Sequence, residues 1–206
     1  MSLTIIILIV TVGISILAFS NPSVLSKAIF NPYIITRNKE YYRFISSGFI
    51  HADFMHLFFN MFTFYSFGRV IESMYGQLYF DKTYLTFAFL GLYIGGIIVS
   101  DLPTYFKNKN VFKYNSLGAS GGVSSVLFAA ILYFPTQNIY VYGIPIPAIV
   151  YAILYTWYTV YMDNRGGDNV NHSAHLYGAI WGVIYTTLIY PSVWLSFFEN
   201  IKVWFV

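Results

Sequence analysis

Three short groups of polar residues interrupt the apolar stretches of the chain, and their side-chain types could together carry out acyl transfer. In chain order they are His51-x4-His56-x3-Asn60, Gly118-Ala119-Ser120-Gly121 and Ala174-His175-x2-Gly178-x3-Gly182. Polar groups inside membrane-length apolar stretches are costly and usually functional. A serine hydroxyl becomes a nucleophile when a neighbouring base takes its proton, and an imidazole can do this near neutral pH.

Ser120 is the candidate nucleophile and His175 the candidate general base. Gly118 and Gly121 remove side chains on both sides of the hydroxyl and permit a close backbone approach. On a helix, Gly178 follows His175 by one turn and lies on the same stripe, so a neighbouring helix can pack closely there. No Asp or Glu falls in the middle of an apolar stretch, which favours a Ser–His dyad over a triad.

The tetrahedral oxyanion formed by such a nucleophile needs hydrogen-bond donors. The backbone N–H of Ser120 is one candidate, because the first N–H groups of a helix lack partners within it. His56 and Asn60 are one turn apart on a helix and share a face, so both could add donors. His51 is about 140° from His56 on the same helix and is not expected to share that face closely.

Each motif taken alone also has a structural interpretation. The first could supply hydrogen bonds between helices, the second could be a helix cap with small packing residues, and the third could hold a buried histidine. A metal site is a further alternative, since His172 and His175 could chelate with His51 or His56. No intramembrane carboxylate or thiolate completes that shell, so neither a metal nor another cofactor is expected.

The composition indicates a polytopic all-α membrane protein. Of 206 residues, 57% are hydrophobic and only 9% are charged, whereas a soluble domain carries about 25% charged residues. The chain has no cysteine, which excludes disulfides and thiolate chemistry. Its net charge of +3 comes without a dense basic run, so no nucleic acid partner is expected.

Apolar runs and their polar boundaries predict one domain over residues 1–206 with six membrane spans. The expected spans are residues 3–19, 48–71, 79–100, 118–134, 141–161 and 172–195. The Asn-Pro dipeptides at 21–22 and 31–32 are expected to break helix in a polar loop.

With these motifs in this order, the sequence resembles the rhomboid family of intramembrane proteases from about Pro32 to Gly182. The resemblance implies a six-helix bundle in which Ser120 and His175 form the dyad. It also implies that His56 and Asn60 line the oxyanion hole and that His51 is structural. Many members carry an aromatic residue one turn after the serine that stacks on the catalytic histidine, and this chain has Ser124 there.

The function expected from the motifs and the resemblance is that of a serine endopeptidase in the bilayer, cleaving transmembrane segments of single-span or polytopic proteins. The alternative is a catalytically silent relative that binds transmembrane helices without cutting them. The low charge and the lack of a recognisable targeting segment predict a bacterial inner membrane.

The distribution of basic residues conflicts with the orientation that the resemblance implies. The resemblance implies a cytoplasmic N-terminus, which leaves three basic residues in the cytoplasm and eight on the other side. The positive-inside rule favours the reverse. We follow the resemblance, because basic residues of a half-embedded first loop can lie against anionic lipid headgroups.

Overall fold

The structure, a computed structural model, describes residues 2–78, 81–167 and 170–205 and is mostly helical. Ten α-helices and one short hairpin occur in this part of the chain. The long helices are α1 (Leu3–Ser20), α5 (Phe54–Leu78), α6 (Lys82–Asn108), α7 (Ser120–Tyr133), α8 (Ala148–Arg165) and α9 (His172–Ile189). The short ones are α2 (Pro22–Ala28), α3 (Pro32–Asn38), α4 (Arg43–Ser46) and α10 (Val193–Trp204).

The α7 helix forms the centre of the bundle and packs against α5, α6 and α9. Every residue from Gly121 to Tyr133 is buried, so the helix is enclosed on all sides by protein. Close approach depends on glycines: a Cβ on Gly178 would overlap the Gly121 carbonyl oxygen and lie 2.8 Å from its Cα. On the α6 side, a Cβ on Gly122 would lie 2.8 Å from the Tyr93 carbonyl oxygen. The serine motif at the start of α7 therefore sits inside the bundle.

The loop expected between the first two spans contains three short helices. Asn21 and Asn31 cap α2 and α3, and each is followed by a proline at the first helical position. Proline is well tolerated there because its missing N–H would have no partner in the helix. No helix runs through either dipeptide, as expected, and α1 ends at Ser20 directly before the first of them. Each dipeptide also begins a new short helix, which the expectation of a polar loop did not include.

A two-stranded hairpin corrects the all-α assignment. Strand β1 (Asn138–Val141) pairs antiparallel with β2 (Ile144–Pro147). The two linking residues, Tyr142 and Gly143, have φ of 51° and 83°, as a tight type I′ hairpin turn requires. The fifth long helix therefore begins at Ala148, after the hairpin, and not at residue 141.

Other boundaries also differ from the expected spans. The α5 helix begins only at Phe54, so His51 precedes it, and α6 extends to Asn108 with Pro103 inside. At the C-terminal side, the chain turns through 112° between α9 and α10. Pro191 lies at this bend and cannot donate the backbone hydrogen bond that a continuous helix needs.

Within the described residues, two helices alone are long and apolar enough to cross a membrane, namely α1 and α6. A third is counted if the bent pair of α9 and α10 forms one span. The α7 helix is apolar, but its 14 residues extend only about 21 Å. Polar and aromatic residues in α5, α8 and α9 lower their hydropathy, and several of these residues line the site described next.

Candidate active site

All three polar motifs contribute to one open cavity of about 600 Å³. His56 and Asn60 of α5, Ser120 of α7 and His175 of α9 line it. Apolar and aromatic side chains form much of the remaining wall: Ile29, Phe59, Val123, Leu127, Tyr151 and Tyr155. The cavity thus combines polar groups with largely apolar walls in a space large enough for a segment of peptide.

Ser120 is the first residue of α7, and the turn before it depends on glycine. Gly118 has a φ of +120°, a conformation that side chains rarely adopt, and its N–H donates to the Ser47 carbonyl at 3.0 Å. A Cβ there would lie 2.7 Å from Cε1 of His56. Gly118 thus lets the His56 ring come close to the start of α7, where the N–H of Ser120 belongs to the unbonded first turn.

Asn60 retains a donor for the cavity although its side chain is largely buried. One N–H of its amide donates to the His56 carbonyl one turn earlier, at 2.9 Å. An amide group has two N–H donors, so the second is left for another acceptor.

His51 and His56 come together in the structure, contrary to the expectation from a continuous helix. Because His51 precedes α5, its ring packs edge-on against that of His56 with centroids 5.0 Å apart. Its Nδ1 lies 2.9 Å from the Ser15 hydroxyl of α1, and its Nε2 accepts from the Ala119 N–H at 3.4 Å. His51 therefore links α1 to the residue before Ser120.

His175 lies in the first turn of α9, which is anchored to α6. The Asn171 side chain caps α9 by accepting from the Ala174 N–H at 3.1 Å, and its amide donates to the Thr104 hydroxyl of α6 at 3.1 Å. The contact of Gly178 with Gly121 brings α9 against α7 one turn below His175. Asn171 was not among the predicted site residues, although an asparagine before an apolar run is a common helix cap.

Comparison with known proteins identifies the family. The family model described as "Rhomboid domain" matches residues 38–192, which is most of the chain. The chain belongs to the rhomboid family. The resemblance noted from the three motifs is thereby confirmed, and members of this family are typically serine proteases that act on membrane proteins in a bilayer.

Three curated relatives of this rhomboid chain have names that include the word mitochondrial. The chain is 25% identical over 197 residues to human presenilin-associated rhomboid-like protein. The alignment covers 90% of the chain and 44% of that protein. Identity is 30% over 147 residues to RHOMBOID-like protein 12 of Arabidopsis thaliana, covering 66% of the chain and 42% of that protein. Identity is 30% over 152 residues to Rhomboid protein 1 of Saccharomyces cerevisiae, and the alignment covers 72% of the chain and 42% of that protein.

These relatives overturn the expected bacterial membrane. The relatives are named as mitochondrial proteins, which contradicts the prediction of a bacterial inner membrane, and that prediction was wrong. That prediction depended on low charge and on an apparent lack of a targeting segment, and neither property distinguishes the two membranes. The chain spans less than half the length of the curated relatives it matches.

An aromatic ring from another helix packs against His175 in this rhomboid. Tyr155 of α8 lies nearly parallel to the imidazole, with centroids 6.3 Å apart and ring planes 8° from parallel. Its hydroxyl is 2.7 Å from that of Ser124, the residue that replaces the aromatic side chain many members carry on α7. Tyr155 therefore limits the orientation of the imidazole from α8, and Ser124 fixes the position of Tyr155.

If His175 acts as a general base, replacing Tyr155 by Leu should slow peptide cleavage up to about 100-fold, because a small displacement of such a group has an effect of that order. Tyr155→Phe keeps the ring and should lose much less. Trp157→Leu is the matched control, since Trp157 is exposed on the same helix. Steady-state cleavage kinetics would measure all three. Equal rates for Tyr155→Leu and Trp157→Leu would contradict a positioning role.

Asp101 is a buried carboxyl group one residue beyond the expected third span, 79–100. The α6 helix continues to Asn108, so Asp101 lies within it, and its side chain is buried. Asp101 lines a second cavity of about 20 Å³ behind the serine, together with Ser47, Ser120 and Ala174. A space of this size fits about one water molecule. The carboxyl thus lies close to the site without lining the main cavity as His175 does.

No group of three or more His, Asp or Glu residues suited to a metal occurs in the described residues. His172 and His175 are adjacent, with ring centroids 6.0 Å apart, whereas His51 precedes α5 and contacts Ser15 of α1. His175 shares the main cavity with Ser120 and with His56.

Proposed function

We propose that this rhomboid is an intramembrane serine endopeptidase with Ser120 as nucleophile and His175 as general base. The observation that carries the proposal is the convergence of Ser120, His175, His56 and Asn60 on one cavity. The Ser120 Oγ attacks the scissile carbonyl carbon while His175 accepts the hydroxyl proton. His175 then gives that proton to the leaving amine, and water hydrolyses the resulting ester to restore the serine.

The oxyanion of the tetrahedral intermediate would be bound by three donors around Ser120. These are the Ser120 N–H, the remaining Asn60 amide N–H and the His56 ring, which lies against Gly118. Donors aimed at the developing charge are most effective in an enclosed site of low polarity. Gly118, Gly121, Gly178 and His51 would act structurally, by permitting close packing and by joining α1 to the serine turn.

We further propose that α1, α5, α6, α7, α8 and α9 form a six-span membrane domain. The long helices follow one another through the bundle, and α7 is shielded from lipid by its neighbours. The names of the relatives support a mitochondrial membrane as its location. Substrates would be the transmembrane segments of other membrane proteins, which must unwind locally to expose a carbonyl.

The opening between α5 and α8 is the proposed entrance for substrates. Phe59 and Thr63 of α5 and Tyr151 and Tyr155 of α8 line the cavity from its two sides. In the part of the chain described, α8 packs mainly against α9, and α5 packs against α7, α1 and α6. Separation of α5 from α8 therefore disturbs few packing contacts and opens the site to the bilayer.

Linking α5 to α8 is expected to block cleavage of transmembrane substrates by at least about tenfold, because the helices could no longer separate. The chain has no cysteine, so Phe59→Cys with Tyr151→Cys can be joined by a reducible bifunctional thiol reagent without background. Reduction should restore cleavage, and a small serine-reactive phosphonate should label Ser120 in both states. Full cleavage by the linked protein would contradict lateral entry.

Cleavage of a single-span substrate by the purified protein tests the proposed function. We expect fragments whose ends map within the transmembrane segment, preferentially near glycine or other residues that weaken a helix. Co-purification of uncut substrate with no fragments from several substrates would favour the silent relative. The serine variants described in the Discussion exclude a contaminating protease.

A further inference from the structure

An exposed basic patch lies where α3 and α6 end and in the residues that follow them. It consists of Arg37, Lys39, Lys107, Lys109 and Lys113, all of them exposed. None of these side chains lines the two cavities at the serine. The patch therefore needs an explanation separate from catalysis, and we refer to it as the α3–α6 patch.

Contacts between the two segments hold the α3–α6 patch together as one surface. The Thr36 hydroxyl of α3 donates to the Tyr105 hydroxyl of α6 at 3.1 Å. The Tyr33 and Phe112 rings meet edge-on with centroids 5.4 Å apart. Backbone hydrogen bonds of 3.1 Å and 3.0 Å pair Phe30 with Ser116. The two segments that carry the five cations are therefore fixed relative to each other.

The cations of the patch lack acidic partners among the described residues. The only ion pair in that part of the chain joins Arg43 to Glu40. Hydrogen bonds from Asn38, Arg43 and Tyr42 lower the pKa of the Glu40 carboxyl, so it stays ionised and engaged with these donors. A partner that neutralises the patch must therefore come from outside this part of the chain.

Apolar and aromatic side chains accompany the cations. Phe106, Val111 and Phe112 are exposed within the same segment. The Arg37 guanidinium lies 5.5 Å from the Tyr33 ring centre, and the Lys109 ammonium lies 5.9 Å from that of Phe106. Side chains that insert into the acyl boundary beside cations at phosphate level are typical of a surface in the membrane interface.

We propose that the α3–α6 patch binds the headgroups of anionic phospholipids. Phosphate groups supply the missing negative charge, while Phe106 and Phe112 enter the adjoining acyl region. An acidic segment of a protein partner would satisfy the cations but would leave both phenyl rings in water. The proposal does not depend on proteolysis, and it gives the basic residues at this end a role other than setting orientation.

Native mass spectrometry of the detergent-solubilised protein with phosphatidylglycerol or phosphatidylcholine tests this proposal. The native chain should bind phosphatidylglycerol more tightly than phosphatidylcholine. The patch variant Lys107→Gln/Lys109→Gln/Lys113→Gln should raise its apparent Kd at least about fivefold, the effect of one surface cation. The matched control Arg69→Gln/Lys82→Gln/Lys202→Gln removes three exposed basic residues from the opposite end. It should change the apparent Kd for phosphatidylglycerol less than about twofold.

The remaining outcomes would overturn the proposal. The native chain could bind the two lipids equally, or the two triple variants could lose affinity for phosphatidylglycerol equally. Either result would leave the cations as stabilisers of helix ends only. Unchanged lipid binding, with slower cleavage solely of substrates carrying an acidic flanking segment, would assign the patch to protein partners. If the triple variant fails to fold, Arg37→Gln/Lys39→Gln tests the same surface from α3.

Discussion

His175→Ala and Ser120→Ala should each lower the rate of intramembrane cleavage by at least about 10³-fold. The serine hydroxyl is a poor nucleophile without a base, and the base has no function in catalysis without the nucleophile. The two residues therefore act as one unit, and the double variant should be no slower than either single variant. Rates should be measured with one single-span substrate in the same detergent, with equal amounts of folded protein.

His172→Ala is the matched control for the histidine. Its ring lies near that of His175, with centroids 6.0 Å apart, but it does not line the main cavity. We expect a change in stability and a rate within about tenfold of the native value, since no proton transfer is assigned to it. If His172→Ala lost as much activity as His175→Ala, the assignment of the base would be wrong.

Gly178→Val should separate α9 from α7 and inactivate the protein. Even a single Cβ at this position would overlap the Gly121 carbonyl oxygen, and backbone cannot move aside as a flexible side chain can. Overpacking of this kind costs about 1–3 kcal/mol of stability. His175 is one turn from Gly178, so the rate should also fall about 100-fold or more.

Gly13→Val provides the control for the change at Gly178. Gly13 lies within α1, and nothing lies within 4 Å of a Cβ placed there. Both substitutions have the same effect on intrinsic helix propensity, so a difference between them measures packing. Unfolding midpoints in detergent and cleavage rates should remain near native for Gly13→Val. Similar losses in both variants would contradict the role of Gly178 in positioning α9.

The candidate site was predictable from the sequence because its chemistry requires particular side chains at fixed spacing. Ser120 between two glycines, and His175 one turn before Gly178, predict a nucleophile and a base on closely packed helices. The spacing of His56 and Asn60 places both on one face of α5. These are local patterns, and the structure brings all four polar residues to the same cavity.

Contacts between distant segments were not predictable in the same way. Tyr155 reaches His175 from α8, and chain spacing does not report which of 20 tyrosines will do so. The position of His51 beside His56 depended on where α5 begins. Asp53 marks that boundary, since its side chain accepts from the His56 N–H at 2.8 Å as a helix cap does. The expected third span ended with its apolar run at residue 100, whereas α6 continues through Asp101 to Asn108.

Some boundaries could have been predicted from turn and capping chemistry. Asn followed by Pro at 21–22 and 31–32 combines a good cap with a good first helical residue. The hairpin turn is less recognisable, because Tyr142 occupies a position where asparagine or glycine is preferred. Its strands contain Pro145 and Pro147, which in a helical reading only weaken the first turn.

Labelling with a serine-reactive phosphonate, followed by peptide mass spectrometry, tests the activation of Ser120 most directly. It needs no knowledge of the natural substrate, since the probe reports the nucleophile itself. We expect one adduct on Ser120 in the native protein, and loss or strong slowing of that labelling in His175→Ala with the fold intact. An adduct on another serine, or equal labelling of Ser120 in His175→Ala, would contradict the Ser120–His175 dyad.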